Sequence, residues 1–357
     1  MIEVRHRPGS VVTNGAGGRR DSVRFGVPGK GRIGDEVFEF LDSCGLKVRR
    51  GSERQLTGQI RGFPDVAVIF QRSADILTQV TDGRLDLGIT NIDVLREHGG
   101  EDDDLILVYE DLGFSGASVA VEVPDSWVDV TTMADLADVA ASLRERGDEL
   151  RVATSLPNLT RRFFYQSGIS HFSLVQVEGG VEAAPTVGFA DVAVDLVSTG
   201  TTLKENHLKV LRNGYILRTQ ACLVCNRRSL TGSVFKREVV RQVVELMEAR
   251  LRAQQFYSVT ANLRGQSEAE VAAALLERPA TRGKRGPTVA RVFAANPEAD
   301  GSHWFAATII VDAASLQPAV DHLREVGGSG MSVMPVKYLF DERSAAYDGL
   351  LKALGVS

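Results

Sequence analysis

The sequence predicts an α/β protein of two lobes followed by a ferredoxin-like unit, and three observations carry that reading. From Val23 to Cys225, short runs rich in Val, Ile and Ala alternate with stretches of helical period, a pattern that lays helices over mainly parallel sheets. A long amphipathic stretch, 233–255, then interrupts the alternation. Beyond it the runs follow the order βαββαβ. The length agrees, because 357 residues exceed what one core usually holds and two or three domains are expected.

The elements follow in order. Residues 1–21 are rich in Gly and Arg, show no periodicity, and read as a flexible extension. Val23 to Val27 is a strand. Pro28-Gly-Lys-Gly-Arg-Ile-Gly34 follows as a glycine-rich turn carrying Lys30 and Arg32. Val37, Phe40, Leu41 and Cys44 then mark one helix face, which Gly45 closes. Residues 65–70 form a strand leading to Arg72, and Ser73 is placed to cap a helix over 74–81. Strands follow at 85–90 and 105–109, with Asn91 and Asp93 just past the first of them. Strands at 117–123, 151–155 and 172–177, with helices at 132–145 and 158–167, make a second α/β unit. The stretch 124–150 reads as insert-like.

Strands near 209–217 and 220–225 are expected to return to the first unit. In the helix over 233–255, Val239, Val243, Met247 and Leu251 form the apolar stripe. The ferredoxin-like order then comes from strands at 256–262, 287–295, 302–311 and 331–340, with helices at 267–278 and 313–326. The expected domains are therefore 22–115 with 205–255, then 116–204, then 256–357.

Composition narrows the function. A hydrophobic share of 43% with 24% charged residues belongs to an ordinary globular protein. A net charge of −5 and a pI near 5.8 argue against a nucleic-acid surface. Three cysteines cannot build a disulfide framework, so a cytoplasmic, reducing location is expected. Cys222-Leu-Val-Cys225 has the spacing of a redox or metal pair. It sits in an apolar run with no second pair or His cluster, and reads as two inert core thiols. No export signal and no apolar run of ~20 residues occurs.

The stretch with chemical content is Asp195-Leu-Val-Ser-Thr-Gly-Thr-Thr-Leu203. Ala190 to Asp195 alternates small or acidic residues with apolar ones, as a buried strand does. The run breaks at Ser198-Thr199-Gly200-Thr201-Thr202, and Leu203 to Leu208 reads as the start of a helix. A strand entering a hydroxyl-rich glycine turn and then a helix offers an anion backbone N–H groups and four hydroxyls. The absence of Gly-Lys-Ser/Thr excludes a Walker loop. Asp191 and Asp195 precede the loop, and carboxylates there suit ribose hydroxyls and a hydrated Mg²⁺. Taken alone, the same stretch also fits a Ser/Thr-rich turn capping a helix.

Together with Gly180-Val-Glu-Ala-Ala-Pro185, Val27-Pro-Gly-Lys-Gly-Arg32 and Leu85-Asp-Leu-Gly-Ile89, this stretch resembles the long form of the ATP phosphoribosyltransferases. The resemblance runs from about Arg24 to the C-terminus. It implies a periplasmic-binding-protein-like bilobed catalytic core and a C-terminal regulatory module of the ACT type. The implied reaction joins ATP to 5-phosphoribosyl 1-pyrophosphate at the first step of histidine biosynthesis, under feedback by histidine. Glu182, Asp191 and Asp195 are then the catalytic carboxylates, and Asp195 with Ser198, Thr199, Gly200, Thr201 and Thr202 binds the phosphoribosyl donor. Lys30, Arg32 and Arg72 are candidates for the ATP polyphosphate. Mg²⁺ is the expected cofactor, held through substrate with Asp195 as its possible protein contact. A cytoplasmic homo-oligomer is expected, a hexamer by resemblance with a dimer on the way. A solute-binding protein would share the bilobed shape, and a nucleobase phosphoribosyltransferase of the other common fold would share an acidic Thr-Gly loop.

Overall fold

The computed structural model describes residues 22–356, apart from 53, 100–102, 178, 199 and 294–302 and the side chains of Gly31 and Arg32. The expectations for 1–21 and for Thr199 therefore lie outside the described residues. In the first lobe the chain runs β1 (Val23–Pro28), α1 (Gly31–Ser43), β2 (Val48–Arg49), β3 (Thr57–Ile60) and β4 (Phe63–Gln71). It continues through α2 (Ser73–Thr81), β5 (Leu87–Asn91), α3 (Ile92–His98) and β6 (Leu105–Tyr109). All four apolar positions expected on α1 are buried. Gly45, at φ +76°, ends the helix: its N–H donates to Asp42 O and that of Leu46 to Leu41 O. The glycine turn is shorter than expected, since α1 begins at Gly31 and takes Arg32 and Gly34 into its first turns. Ser73 does not cap α2. It is the first helical residue, and Arg72 holds the cap position in extended backbone.

The second lobe carries β7 (Ala117–Pro124), α4 (Met133–Glu145), β8 (Leu150–Thr154), α5 (Pro157–Gln166) and β9 (Phe172–Gln176). It closes with β10 (Val192–Val197), α6 (Thr201–Glu205) and β11 (Leu208–Thr219). Residues 124–150 are an integral part of it. Thr132 and Asp135 form a capping box that starts α4, whose Met133, Leu136 and Ala140 enter the core. The chain then returns through β12 (Ala221–Asn226), α7 (Arg227–Thr231) and α8 (Val234–Ala253).

Two corrections follow from strand pairing and a third from the length of a helix. The first sheet, β2-β3-β4-β1-β5-β12-β6, is mixed rather than mainly parallel, because β12 enters antiparallel between β5 and β6 and the edge strands β2 and β3 also pair antiparallel. The strand expected to return near 209–217 does not: β11 pairs with β7 in the second sheet, β11-β7-β10-β8-β9. The crossing back to the first lobe thus falls between Thr219 and Ala221, not at 204/205. The helix expected from Leu203 is the five-residue α6, over by Glu205.

The third sheet is built from β13 (Phe256–Gly265), α9 (Glu268–Leu276), β14 (Thr288–Val292), β15 (His303–Asp312), α10 (Leu316–Glu325) and β16 (Ser329–Pro335). Its order, β14-β15-β13-β16 and antiparallel throughout, is the expected ferredoxin-like one. The helix that closes the chain was not foreseen, nor were the short α3 and α7. The chain leaves β16 along α8, where the Leu339 N–H donates to Ala249 O, and ends in α11 (Ala345–Leu354). Leu350 and Leu354 of α11 are buried in the first lobe's core, so the unit expected to fill 256–357 gives back its last helix.

The two lobes touch through α3. Glu97, buried, accepts from the first-turn N–H groups of Asn158 (2.8 Å) and Leu159 (2.9 Å) of α5. A carboxylate from one lobe thereby caps a helix of the other. Asp93 is also buried, and the Thr219 hydroxyl donates to it at the hinge.

Candidate active site

A polar recess of about 80 Å³ opens at the end of β10, and its wall holds Glu122, Glu182, Asp195, Ser198, Gly200 and Thr202. Each wall has a local cause. Gly179 and Gly180, at φ +85° and +67°, turn the chain into a single 3₁₀ turn over Val181–Ala183. Val181 packs into a cluster of Ala153, Ala184, Ala190 and Ala193, which leaves Glu182 directed to the recess. Asp195 sits near the end of β10, and Gly200, at φ +74°, makes the reversal into α6. A five-residue helix gives little macrodipole, so an anion here would depend on hydroxyls and first-turn N–H groups rather than on helix charge.

Glu122 was missed in the sequence. It lies on β7 opposite Ala193, while Ala120 lies opposite Asp195, so both carboxylates project from one face of the sheet. The small Ala120 and Ala193 leave the space that the acids occupy. The signal was present: Val119, Val121 and Val123 face one way, while Ser118, Ala120 and Glu122 face the other, so a lone acid interrupts an apolar run.

The acids perturb one another. Burial, followed by the charges of Asp195 and Glu182, pushes the Glu122 carboxyl up to about 8. Burial also raises Asp195, to about 6. The Leu196 N–H (2.8 Å) opposes that rise, while Glu182, which hydrogen-bonds to it, and Asp93 across the hinge add to it. Carboxyls this close cannot all ionise, so the group retains a proton near neutrality.

The structure separates the other expected site residues. Asp191 is not in the recess. It precedes β10, and its carboxylate accepts from the Arg151 backbone (2.8 Å) and from Nε (3.2 Å) and Nη2 (2.8 Å) of that side chain. Four residues of strand, about 13 Å, separate it from Asp195, and it acts as a structural ion-pair partner. Ser198, Gly200 and Thr202 line the recess, whereas Thr201, exposed at the start of α6, does not. Lys30 and Arg72 come together: Pro28 pairs with Gln71 across β1 and β4, and each cation stands just past its strand, exposed. Such strand ends are where open α/β sheets bind ligands. Cys222 and Cys225 are fully buried with their thiols pushed up to about 12, as inert core thiols are. His207 lies in an exposed turn at φ +55°, not in a helix, 3.7 Å from Asp125. Among the described residues, no group of three or more His, Cys, Asp or Glu could cage a metal ion.

Comparison with known proteins covers most of the chain. The sequence model "HisG: ATP phosphoribosyltransferase" matches residues 72–249, and that of the HisG C-terminal domain matches 253–338. ATP phosphoribosyltransferase 1 of Arabidopsis thaliana, a chloroplastic protein, is 37% identical over 97% of this chain and 87% of its own length. The ATP phosphoribosyltransferase of Brucella suis is 42% identical over 65% of this chain and 98% of its own. A chain of the Thermotoga maritima HisG:HisZ complex superimposes with a TM-score of 0.48 and 27% identity, covering 63% of this chain and 95% of its own. With a relative this similar along nearly its full length, the chain belongs to the ATP phosphoribosyltransferase family.

Proposed function

We propose that this chain condenses ATP with 5-phosphoribosyl 1-pyrophosphate to N1-(5-phosphoribosyl)-ATP and pyrophosphate, the first step of histidine biosynthesis. The observation that carries it is the recess itself, where acids and a hydroxyl-bearing glycine turn stand side by side at the end of β10. The turn suits the donor's 5-phosphate and the acids suit its ribose hydroxyls. Adenine N1 forms a bond to ribose C1 as the bond from C1 to pyrophosphate breaks. Positive charge then grows on the ring, and this reading gives its stabilisation to Asp195 and Glu182 of the recess wall. Lys30 and Arg72 are assigned to the polyphosphate across the cleft, with Arg32 beside them by sequence. Thr199 belongs to the phosphate turn on the same ground, and Thr201 joins it through its place in α6.

Mg²⁺, when bound, neutralises the departing pyrophosphate. The lack of a protein cage among the described residues suits an ion carried mainly by substrate oxygens, with Asp195 the nearest candidate for a protein contact. The proposal extends to a cytoplasmic homo-oligomer, a hexamer built through dimers, and to feedback by histidine at the ferredoxin-like unit. Three buried cysteines suit a reducing compartment. No helix of the described residues is long and apolar enough to cross a membrane.

The test is product formation from ATP, against free nucleobases, with the same sugar donor and Mg²⁺. The Asp195→Asn variant should lose about 1.5–3 kcal/mol of donor binding, roughly ten- to hundredfold in KM, or all turnover. Wild-type kinetics in that variant would remove Asp195 from the site.

A further inference from the structure

The recess contains one group that the reaction as described leaves unused. Glu122 is only 2% exposed and its side chain lines the recess, yet its Oε2, itself shut off from solvent, has no hydrogen-bond partner and comes to the recess by rotation about the soft terminal torsion of the carboxyl. A buried polar oxygen without a partner costs stability, so its position calls for a donor that arrives from outside. The surroundings select the kind of donor. An anion is poorly served beside an acid cluster that retains negative charge, and better by the neighbouring turn. A bare cation finds no cage among the described residues. A neutral group rich in O–H remains. Asp195 already receives the Leu196 N–H and hydrogen-bonds with Glu182, which leaves Glu122 as the carboxyl with an open valence on the β7 side.

We propose that Glu122 is a third ribose-facing residue, whose free carboxyl oxygen takes one hydroxyl of the phosphoribosyl donor's 2,3-diol at the base of the recess. The inference rests on the phosphoribosyl-donor reading above and assigns a specificity role to a side chain outside the sequence motif. The carboxyl is held uncharged near neutrality by its burial and by Asp195 and Glu182, so it can give as well as accept a hydrogen bond. A sugar lacking the matching hydroxyl leaves that oxygen unpaired again, which is how a site of this kind rejects a deoxy analogue.

The experiment is steady-state kinetics of wild type, Glu122→Gln and Glu122→Ala with the ribose donor and with its 2-deoxy and 3-deoxy analogues. The expected result is a donor KM raised at least tenfold in Glu122→Ala and threefold or more in Glu122→Gln. The KM for ATP and kcat should stay within about threefold. With one of the two deoxy donors, the ratio of variant to wild-type KM should fall to near one. A penalty of equal size for all three donors would show a merely structural role and overturn the inference, as would a donor KM within twofold of wild type in both variants. Should Glu122→Ala fail to fold, Glu122→Gln decides alone, since it conserves shape. Wild-type turnover separates the two readings: its absence refutes the phosphoribosyltransferase proposal, whereas normal wild-type turnover with unaltered variants refutes Glu122 alone.

Discussion

Replacing Glu122 by Gln should stabilise the substrate-free protein far more in alkaline than in acidic buffer. In the folded chain the Glu122 proton is retained up to about pH 8, whereas an exposed glutamate releases it near 4.5. Between those values the folded state binds more protons than the unfolded one, so stability is full below pH 4.5 and falls as pH rises through 8. The gap is 8 minus 4.5, or 3.5 pH units. At about 1.4 kcal/mol per unit it corresponds to about 5 kcal/mol, an upper figure because Glu122 titrates together with the neighbouring Asp195. Gln keeps the shape and carries no charge, so the variant escapes that loss. The assay is thermal unfolding of both proteins at pH 5.0 and 8.5, without substrate or Mg²⁺. At about 2 °C per kcal/mol, the variant should gain several degrees over wild type at pH 8.5 and about a degree at pH 5.0. All other titrating groups are common to both proteins and cancel in the comparison. An equal gain at both pH values, or a loss at pH 8.5, would refute the account of the acid cluster.

Further outcomes follow from the same geometry. Glu97→Ala removes two charge-assisted bonds that cap α5 across the hinge and should cost about 2–4 kcal/mol in denaturant unfolding, with Gln restoring part of it. Asp191→Asn breaks only the pair with Arg151, so donor KM should stay within twofold of wild type, and a large rise would return Asp191 to the site. Lys30→Ala and Arg72→Ala should each weaken ATP binding in calorimetry by about fivefold or more, and unchanged affinity would leave both as solvated strand-end cations. Histidine should slow initial rates of the full chain at millimolar concentration, and excising 256–340 while rejoining the flanks should abolish that response.

Local signals were legible in the sequence, and pairing across distance was not. The four apolar positions of α1 and the ferredoxin-like strand order follow from patterns within a few residues of one another, although the cap expected at Ser73 does not form and the one at Thr132 was not read. The sheet that β11 joins depends on its register with β7, some ninety residues earlier, and alternation along one strand says nothing of that partner. The same limit explains the acids. Asp191 and Asp195 look equivalent in sequence, but strand rise sends them to opposite ends of β10. Glu122 belongs with Asp195 only because Ala193 pairs with it across the ladder. The neighbourhood of Lys30 and Arg72 likewise rests on the pairing of β1 with β4.

The course of α11 changes what kind of object the ferredoxin-like unit is. It leaves the first lobe through α8 and returns to it through α11, whose Leu350 and Leu354 fill that lobe's core, so it is an excursion between two anchors rather than a tail. A cut after Gln255 would strip α11 from the core and uncover the surface its leucines had covered, at about 1.5–3 kcal/mol for each. A unit held at one point can swing as a pendulum without disturbing its support. Held at two, it is tied to the seven-stranded sheet through both α8 and α11. That same sheet carries β1, β4 and β5, whose ends bear Lys30, Arg72 and the hinge contacts of α3, so both anchors of the outer unit rest on the element that also sets the cation side of the proposed site.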